Sequence, residues 1–480
     1  MPSLRDQLAD GTAREALERG AELLQRPTGG GSGSDLLRQY KYHLQMLLWT
    51  EEVQLHADLS QFNFVEERAT VLTRRNRLWA LEVAGLAENR PSVLVGDVVK
   101  ANLRGASRTV YEGRAVAIER ETVLLEFSSR FRYVEGQRVE IRFTLNRKGQ
   151  RLFHQGLSSV GSLPFAASLL FPEPRHLETN QLQPRRTLAG DGQLRPFNPE
   201  LNEEQLDAVL AVAHGVARHV PYCIFGPPGT GKTTTTVELV LQCARKLKQP
   251  LRVLVCTPTN TAADVVCERL ARALNQVQML RLMAFSRGTH ELAAGVRKCT
   301  HWSEEEGGFT FPALDALLAF RVVVATLSTA AQLHNHGVPR GHFDVVLIDE
   351  AGQAQEPEAM AAVSTMLGIG GQMVLAGDPK QLGPVIHHTL AKESGLGVSL
   401  LERMMSRAAY GRGGGGRGGG GSGSGGYNPL VLTKLVRNFR SHAELLALPN
   451  QVMALQPSPA PLPLPPFFPR LQGCSRSPTR

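Results

Sequence analysis

Apolar side chains recur at helical spacing over residues 1–27, at Leu4, Leu8, Ala13, Leu17, Leu23 and Leu24. Such a stripe predicts an amphipathic helix. The run Gly29–Ser34 reads as a flexible joint. Leu36, Leu37, Tyr40, Leu44, Leu47 and Leu48 then resume the helical period over 35–58. From about residue 70 to 156 the period drops to two. Short runs such as Ala115–Ile118, Thr122–Phe127 and Val139–Leu145 are separated by turn residues at Gly96-Asp97, Gly113, Gly136 and Lys148-Gly149. This predicts a small, Arg-rich β-barrel or β-sheet module. Beyond about residue 197 the apolar runs become continuous: Tyr222–Phe225, Val253–Thr257, Val322–Thr326, Val345–Ile348 and Met373–Ala376. Strands of that kind, alternating with helical segments, predict a parallel sheet covered on both faces.

The boundaries that follow are a helical segment over 1–69, a β-barrel module over 70–156, a linker over 157–196 and an α/β domain over 197–455. Residues 411–426 interrupt the last of these with 12 Gly in 16 positions, a composition that buries no core and predicts a disordered loop. Arg412 and Arg417 in that block form Arg-Gly-Gly triplets, read either as RNA-phosphate contacts or as parts of an inert spacer. Residues 456–480 hold eight Pro and predict a disordered or polyproline tail.

At 480 residues the chain has room for about three domains. Its net charge of +9 suits a polyanionic partner, while a solvated basic surface remains the plain alternative for the Arg-rich module. No run approaches the roughly 18 apolar residues of a membrane span, and Met1–Asp6 carries no apolar signal region. Six cysteines, at 223, 243, 256, 267, 299 and 474, form no Cys-x-x-Cys pair. That usage predicts a reduced, intracellular chain without structural zinc.

The candidate chemistry lies at two strand ends. Residues 220–233 run from an apolar strand into Gly226-Pro227-Pro228-Gly229-Thr230-Gly231-Lys232-Thr233, followed by a helical pattern. The glycines let the backbone curl until its N–H groups face a phosphate. Lys232 reaches the β- and γ-phosphates, and the Thr233 hydroxyl can ligate Mg²⁺. The helix that follows adds its positive N-terminal end. Residues 344–350 form a second buried strand that ends in adjacent carboxylates. Asp349 would hold Mg²⁺, and Glu350 would accept a proton from an attacking water. Together these predict ATP hydrolysis.

Further segments resemble, in order, the motifs of superfamily-one helicases. Residues 199–209 resemble the Q motif, which implies that Gln205 reads adenine. Residues 257–266 and 323–330 resemble motifs Ia and Ic, which contact the nucleic-acid backbone. Asp349-Glu350-Ala351-Gly352-Gln353 resembles motif II. Residues 375–384 resemble motif III, implying a γ-phosphate sensor at Gln381, and residues 435–442 resemble motif IV, placing Arg440 near the γ-phosphate. The wording is most similar to the Moloney-leukaemia-virus-ten, or Armitage, group of Upf-one-like RNA helicases. Matches include Gly395–Arg403, Leu432–Leu435 and, in the strand-rich stretch, Leu81–Glu88. The resemblance covers about residues 60–455. It implies a RecA-like P-loop NTPase sheet with an N-terminal β-barrel module, unwinding of RNA from 5′ to 3′, Argonaute-type silencing partners and cytoplasmic granules (P-bodies). Only 30 residues follow Asn450, so the second RecA-like lobe with motifs V and VI is expected to be missing, and ATP turnover to be weak. A DNA helicase of the same superfamily and a non-catalytic ATP- and RNA-binding module are the alternatives.

Overall fold

The computed structural model describes residues 12–25, 33–86, 93, 95–104, 109–163, 165–177, 194–284, 287, 292–411 and 426–439. Arg440, the Pro-rich tail and all but the two ends of the Gly-rich block lie outside the described residues. The longer helices are α1 (Thr12–Gln25), α2 (Gly33–Ser60), α3 (Lys148–Ser159), α4 (Glu203–His214), α5 (Lys232–Arg245), α6 (Asn260–Leu270) and α7 (Glu356–Met366).

Leu17 and Leu24 of α1 and Tyr40, Leu44, Leu47 and Leu48 of α2 are buried in one core, as their spacing predicts. Helix α2 begins at Gly33, inside the expected joint. Six short strands follow: β1 (Thr73–Arg75), β2 (Leu78–Glu82), β3 (Val98–Leu103), β4 (Val110–Glu119), β5 (Thr122–Phe127) and β6 (Val139–Thr144). They pair antiparallel in the order β1-β2-β5-β4-β3-β6. Residues leading into β1 bridge to the opposite edge, Phe64 to Ile141 and Thr70 to Val139, which closes the sheet toward a barrel. Val99, Ala101, Val123, Leu125, Ile141 and Phe143 alternate inward to fill a separate core.

The barrel ends earlier than its turn residues suggested. Lys148-Gly149 opens α3 instead of a hairpin, and Leu152, Phe153, Gly156 and Leu157 form that helix's buried stripe. A Cβ on Gly156 would stand 2.3 Å from Ala361 Cα, so this glycine sets the close approach of α3 to α7. Nor is the stretch after 157 a free linker. Val160, Leu163, Ala166, Leu169, Leu170, Phe171 and Leu177 join the main core, although 178–193 lie outside the described residues.

The second sheet has seven strands. These are β7 (Tyr222–Phe225), β8 (Val253–Thr257), β9 (Met279–Arg281), β12 (Val322–Thr326), β13 (Phe343–Ile348), β14 (Leu367–Gly377) and β15 (Leu432–Lys434), the two-residue pair β10 (Trp302–Ser303) and β11 (Gly308–Phe309) forming a hairpin apart. The order is β15-β7-β14-β13-β8-β12-β9, and every pairing is parallel. All residues of β7, β8 and β12 are buried, the mark of a sheet covered on both faces. The chain is therefore an α/β protein with an N-terminal antiparallel β-module, and its candidate chemistry gathers at the carboxyl ends of the parallel strands. No described helix is long and apolar enough to cross a membrane.

Candidate nucleotide site

The loop 226–231 turns the end of β7 into the start of α5. Gly229 and Gly231 have φ of +80° and +86°, left-handed values that a Cβ resists. Gly226 donates its N–H to the Gly377 carbonyl at the end of β14, 3.3 Å away, which ties the loop to its neighbouring strand. Thr230 is buried, and its hydroxyl donates to the Pro227 carbonyl at 2.8 Å. Lys232 is 7% exposed, and its ammonium donates to the carbonyl oxygens of Gly226 (2.7 Å) and Pro227 (3.5 Å). No side-chain acceptor caps α5 at Gly231, so the helix presents its first N–H groups to the loop's concave side. Thr233 lies half-buried in that first turn.

Asp349 follows β13 and is 1% exposed. Burial, and next the Glu350 carboxylate, push its carboxyl up to about 7, against the pull of the Lys232 and Arg269 charges. Glu350 has φ +57°, in the left-handed region, and its N–H donates to Asp349 Oδ1 at 3.1 Å. A non-glycine residue held there costs about 1–2 kcal/mol, a strain that clusters at functional turns. Arg269, on the last turn of α6, carried no sequence signal; it donates to Thr234 Oγ1 at 3.3 Å, beside the loop.

Gln205 is 3% exposed. Its Oε1 accepts from Asn202 N–H (3.0 Å), completing a capping box on α4, and its Nε2 donates to the Thr230 carbonyl (3.3 Å). The structure thus gives it a structural task, bracing the phosphate loop, that the resemblance did not imply. Gln381 is held by the buried Asp378, whose Oδ2 accepts from its Nε2 at 3.0 Å. Asp378 in turn presses on motif II, since a Cβ on Gly352 would stand 2.6 Å from the Asp378 carbonyl oxygen. Residues 435–439 cross the phosphate loop. Leu435 N–H donates to Phe225 O (2.7 Å), Asn438 Nδ2 to Pro228 O (3.1 Å) and Phe439 N–H to Gly229 O (2.8 Å). Phe439, 39% exposed beside Gly231, is a site residue that sequence reasoning missed. Arg440 follows it and lies outside the described residues.

A family model described as the helicase MOV-10 beta-barrel domain matches residues 65–143, and one described as an AAA domain matches 200–306 and 312–389. The putative helicase MOV-10 of Gallus gallus is 38% identical over 86% of this chain and 42% of its own length. The RNA helicase Mov10l1 of Homo sapiens is 34% identical over 87% of this chain and 38% of its own length. The chain belongs to the MOV-10 helicase family. It spans about two fifths of the length of these curated relatives. Among solved structures, the arterivirus nonstructural protein 10 helicase is 12% identical, covers 85% of this chain and 61% of its own, and has a TM-score of 0.33, too low to bear on the site.

In this MOV-10 family chain the segments that resemble motifs Ia and Ic lie side by side, with Thr257 paired to Thr326 across β8 and β12. Both threonines are buried, and Thr329 with them. Thr326 and Thr329 bond each other at 2.9 Å, and Thr257 Oγ1 donates to Thr259 O at 2.7 Å. Those hydroxyls serve the fold, whereas Thr259, Asn260, Thr261 and Ser328 reach the surface. Between the β-module, α3 and residues Phe311, Gln332, Asn335 and His336 runs a groove of about 900 Å³, lined by Lys100, Arg147, Lys148 and Arg151 against Glu112. Arg147 is paired with Glu52 at 2.8 Å.

Proposed function

We propose that this chain binds Mg-ATP at the phosphate loop and grips single-stranded RNA across the carboxyl ends of β8 and β12, as part of an ATP-dependent RNA helicase moving 5′ to 3′. The observation that carries the proposal is the loop itself: a buried lysine bonded to main-chain carbonyls at the open N-terminus of α5, beside the buried Asp349. Gly229, Gly231 and the first turn of α5 supply backbone N–H groups to the phosphates, and Lys232 offsets their charge. Thr233 and Asp349 are the Mg²⁺ ligands; the Lys232 and Arg269 charges and a bound cation all favour the ionised Asp349 that ligation requires. When bound, the metal neutralises charge developing on the transferring phosphoryl group. Glu350 takes the proton of the attacking water. Gln381 senses the γ-phosphate from its Asp378 anchor, and Arg440 adds a cation. Gln205 has a second amide N–H beyond the one spent on Thr230, available to an adenine edge, and the Phe439 ring offers a stacking face.

RNA is preferred to DNA because relatives such as Mov10l1 are RNA helicases by name. The basic groove continues the strand's path toward the β-module. Argonaute-type partners and cytoplasmic ribonucleoprotein granules belong to the same proposal. The test is binding of matched RNA and DNA strands over stepped salt, with ATP turnover followed in parallel. Tighter RNA binding that falls steeply with salt supports the proposal. A flat salt response, or a DNA preference, counts against it.

A further inference from the structure

The buried stripe of α2 ends on a carboxylate. Tyr40, Leu44, Leu47 and Glu51 follow one another at helical spacing and share a face. Glu51 is 2% exposed, at a position where the stripe calls for an apolar side chain. Burying a carboxylate is costly unless hydrogen bonds replace its hydration. Its partners lie just beyond the segment that resembles motif III. Oε1 accepts the main-chain N–H of His387 at 2.8 Å, and Oε2 accepts that of His388 at 2.9 Å. His387 Nδ1 also stands 2.9 Å from Oε1. The carboxylate thus forks onto two successive backbone amides, six and seven residues after Gln381. The chain between has little to hold it. Residues 381–388 form no helix or strand, and Leu382 and Val385 are 74% and 64% exposed. Asp378 anchors one end, accepting from Gln381 Nε2 at 3.0 Å and from the Lys380 N–H at 2.9 Å. In the middle Pro384 is buried, and Gln355 Nε2 donates to the Val385 carbonyl at a long 3.4 Å. Glu51 anchors the other end. Helix α2 is a firm support for it, docked also by the Tyr40 hydroxyl, which donates to Glu356 Oε1 at 2.6 Å, and by His43 Nε2, 3.0 Å from the Ser394 carbonyl oxygen.

We infer that Glu51 is a positioning residue for the γ-phosphate sensor, an inference that rests on the role proposed above for Gln381. Glu51 acts through the backbone it holds, not by contact with nucleotide. Pinned at Asp378 and again at 387–388, the loop is ordered before ATP arrives, so the Gln381 amide meets a phosphate oxygen without first having to be immobilised. ADP has no γ-phosphate. Loosening the far anchor therefore weakens ATP and spares ADP. The signal in the sequence is small: one acidic residue on an apolar helical stripe, with its partner more than 300 residues away.

The experiment compares the full chain with Glu51→Gln, Gln381→Ala and the double variant. Glutamine keeps the length of the side chain but offers one acceptor oxygen, so one of the two backbone N–H groups loses its partner. Calorimetry in excess Mg²⁺ measures binding of ADP and of β,γ-imido ATP, which resists hydrolysis. Glu51→Gln should weaken the imido analogue roughly tenfold, about the worth of one hydrogen bond to a charged group, with ADP affinity unchanged. On the Gln381→Ala background the same change should add little, because it acts through that amide. Should Glu51→Gln not fold, His388→Pro serves instead. It deletes one donor at a backbone φ of −81°, which proline tolerates, and should give the same split between the two nucleotides. Equal losses for both nucleotides, no loss for either, or a full additive loss on top of Gln381→Ala would each overturn the inference while leaving the phosphate loop's role intact. A parent chain that binds neither nucleotide would overturn the proposed function and this inference with it.

Discussion

Gly231→Ala tests how tightly the phosphate loop is specified. Two costs are visible in the structure. Alanine at φ +86° costs about 1–2 kcal/mol. The new Cβ would also stand 2.5 Å from Gln205 Nε2, the end of a buried side chain already bonded to Asn202 and Thr230. Moving it sacrifices the Thr230 bond, worth about 0.5–1.5 kcal/mol. If the loop relaxes to escape both, nucleotide binding must restore them, at a total of about 1.5–3.5 kcal/mol. That is a loss in ATP affinity of roughly tenfold to 300-fold. Titration of a fluorescent ATP analogue measures it. A double-mutant cycle with Gln205→Ala separates the costs, because the shorter side chain removes the collision and leaves the backbone strain. The double variant should bind better than the sum of the two single losses predicts. Strict additivity, or an affinity in Gly231→Ala within twofold of the parent, would refute the reasoning.

Two further outcomes follow from packing and burial. Gly156→Ala forces α3 away from Ala361 and should cost about 1–3 kcal/mol, read as a lower denaturation midpoint; an unchanged midpoint would mean the helices are not in close contact. Glu358, whose carboxyl burial pushes up to about 7 despite a hydrogen bond from Ser328, holds its proton more tightly folded than unfolded. Stability from this group is full below about pH 4 and declines as pH rises toward 7, so Glu358→Gln should gain about 1–3 kcal/mol at pH 8 and little at pH 4. Equal gains at both values would show that the carboxyl is not titrating there.

The parts legible in the sequence are those set by local pattern. Continuous apolar runs mark β7, β8, β12 and β13 because strands buried on both faces leave no room for polar alternation. The loop glycines and the paired carboxylates follow directly from such strands. Strands β9 and β15 have three residues each, too few to show a period, and they exist because a neighbouring strand offers its edge. Lys148-Gly149 carries turn chemistry but sits on a helix whose apolar stripe begins later. The bracing of the phosphate loop by Gln205, and the crossing of Asn438 and Phe439 over it, join residues far apart in the chain and leave no local trace. Arg269 likewise reaches Asp349 only through the packing of α6 against α5.

The central claim is that Lys232 and the curled loop bind Mg-ATP. Isothermal calorimetry of the chain and of Lys232→Ala, both with excess Mg²⁺, tests it directly. The account predicts saturable ATP binding in the parent and none in the variant, since the change removes the cation that offsets the β- and γ-phosphate charge. Equal ATP affinity in the two proteins would contradict it.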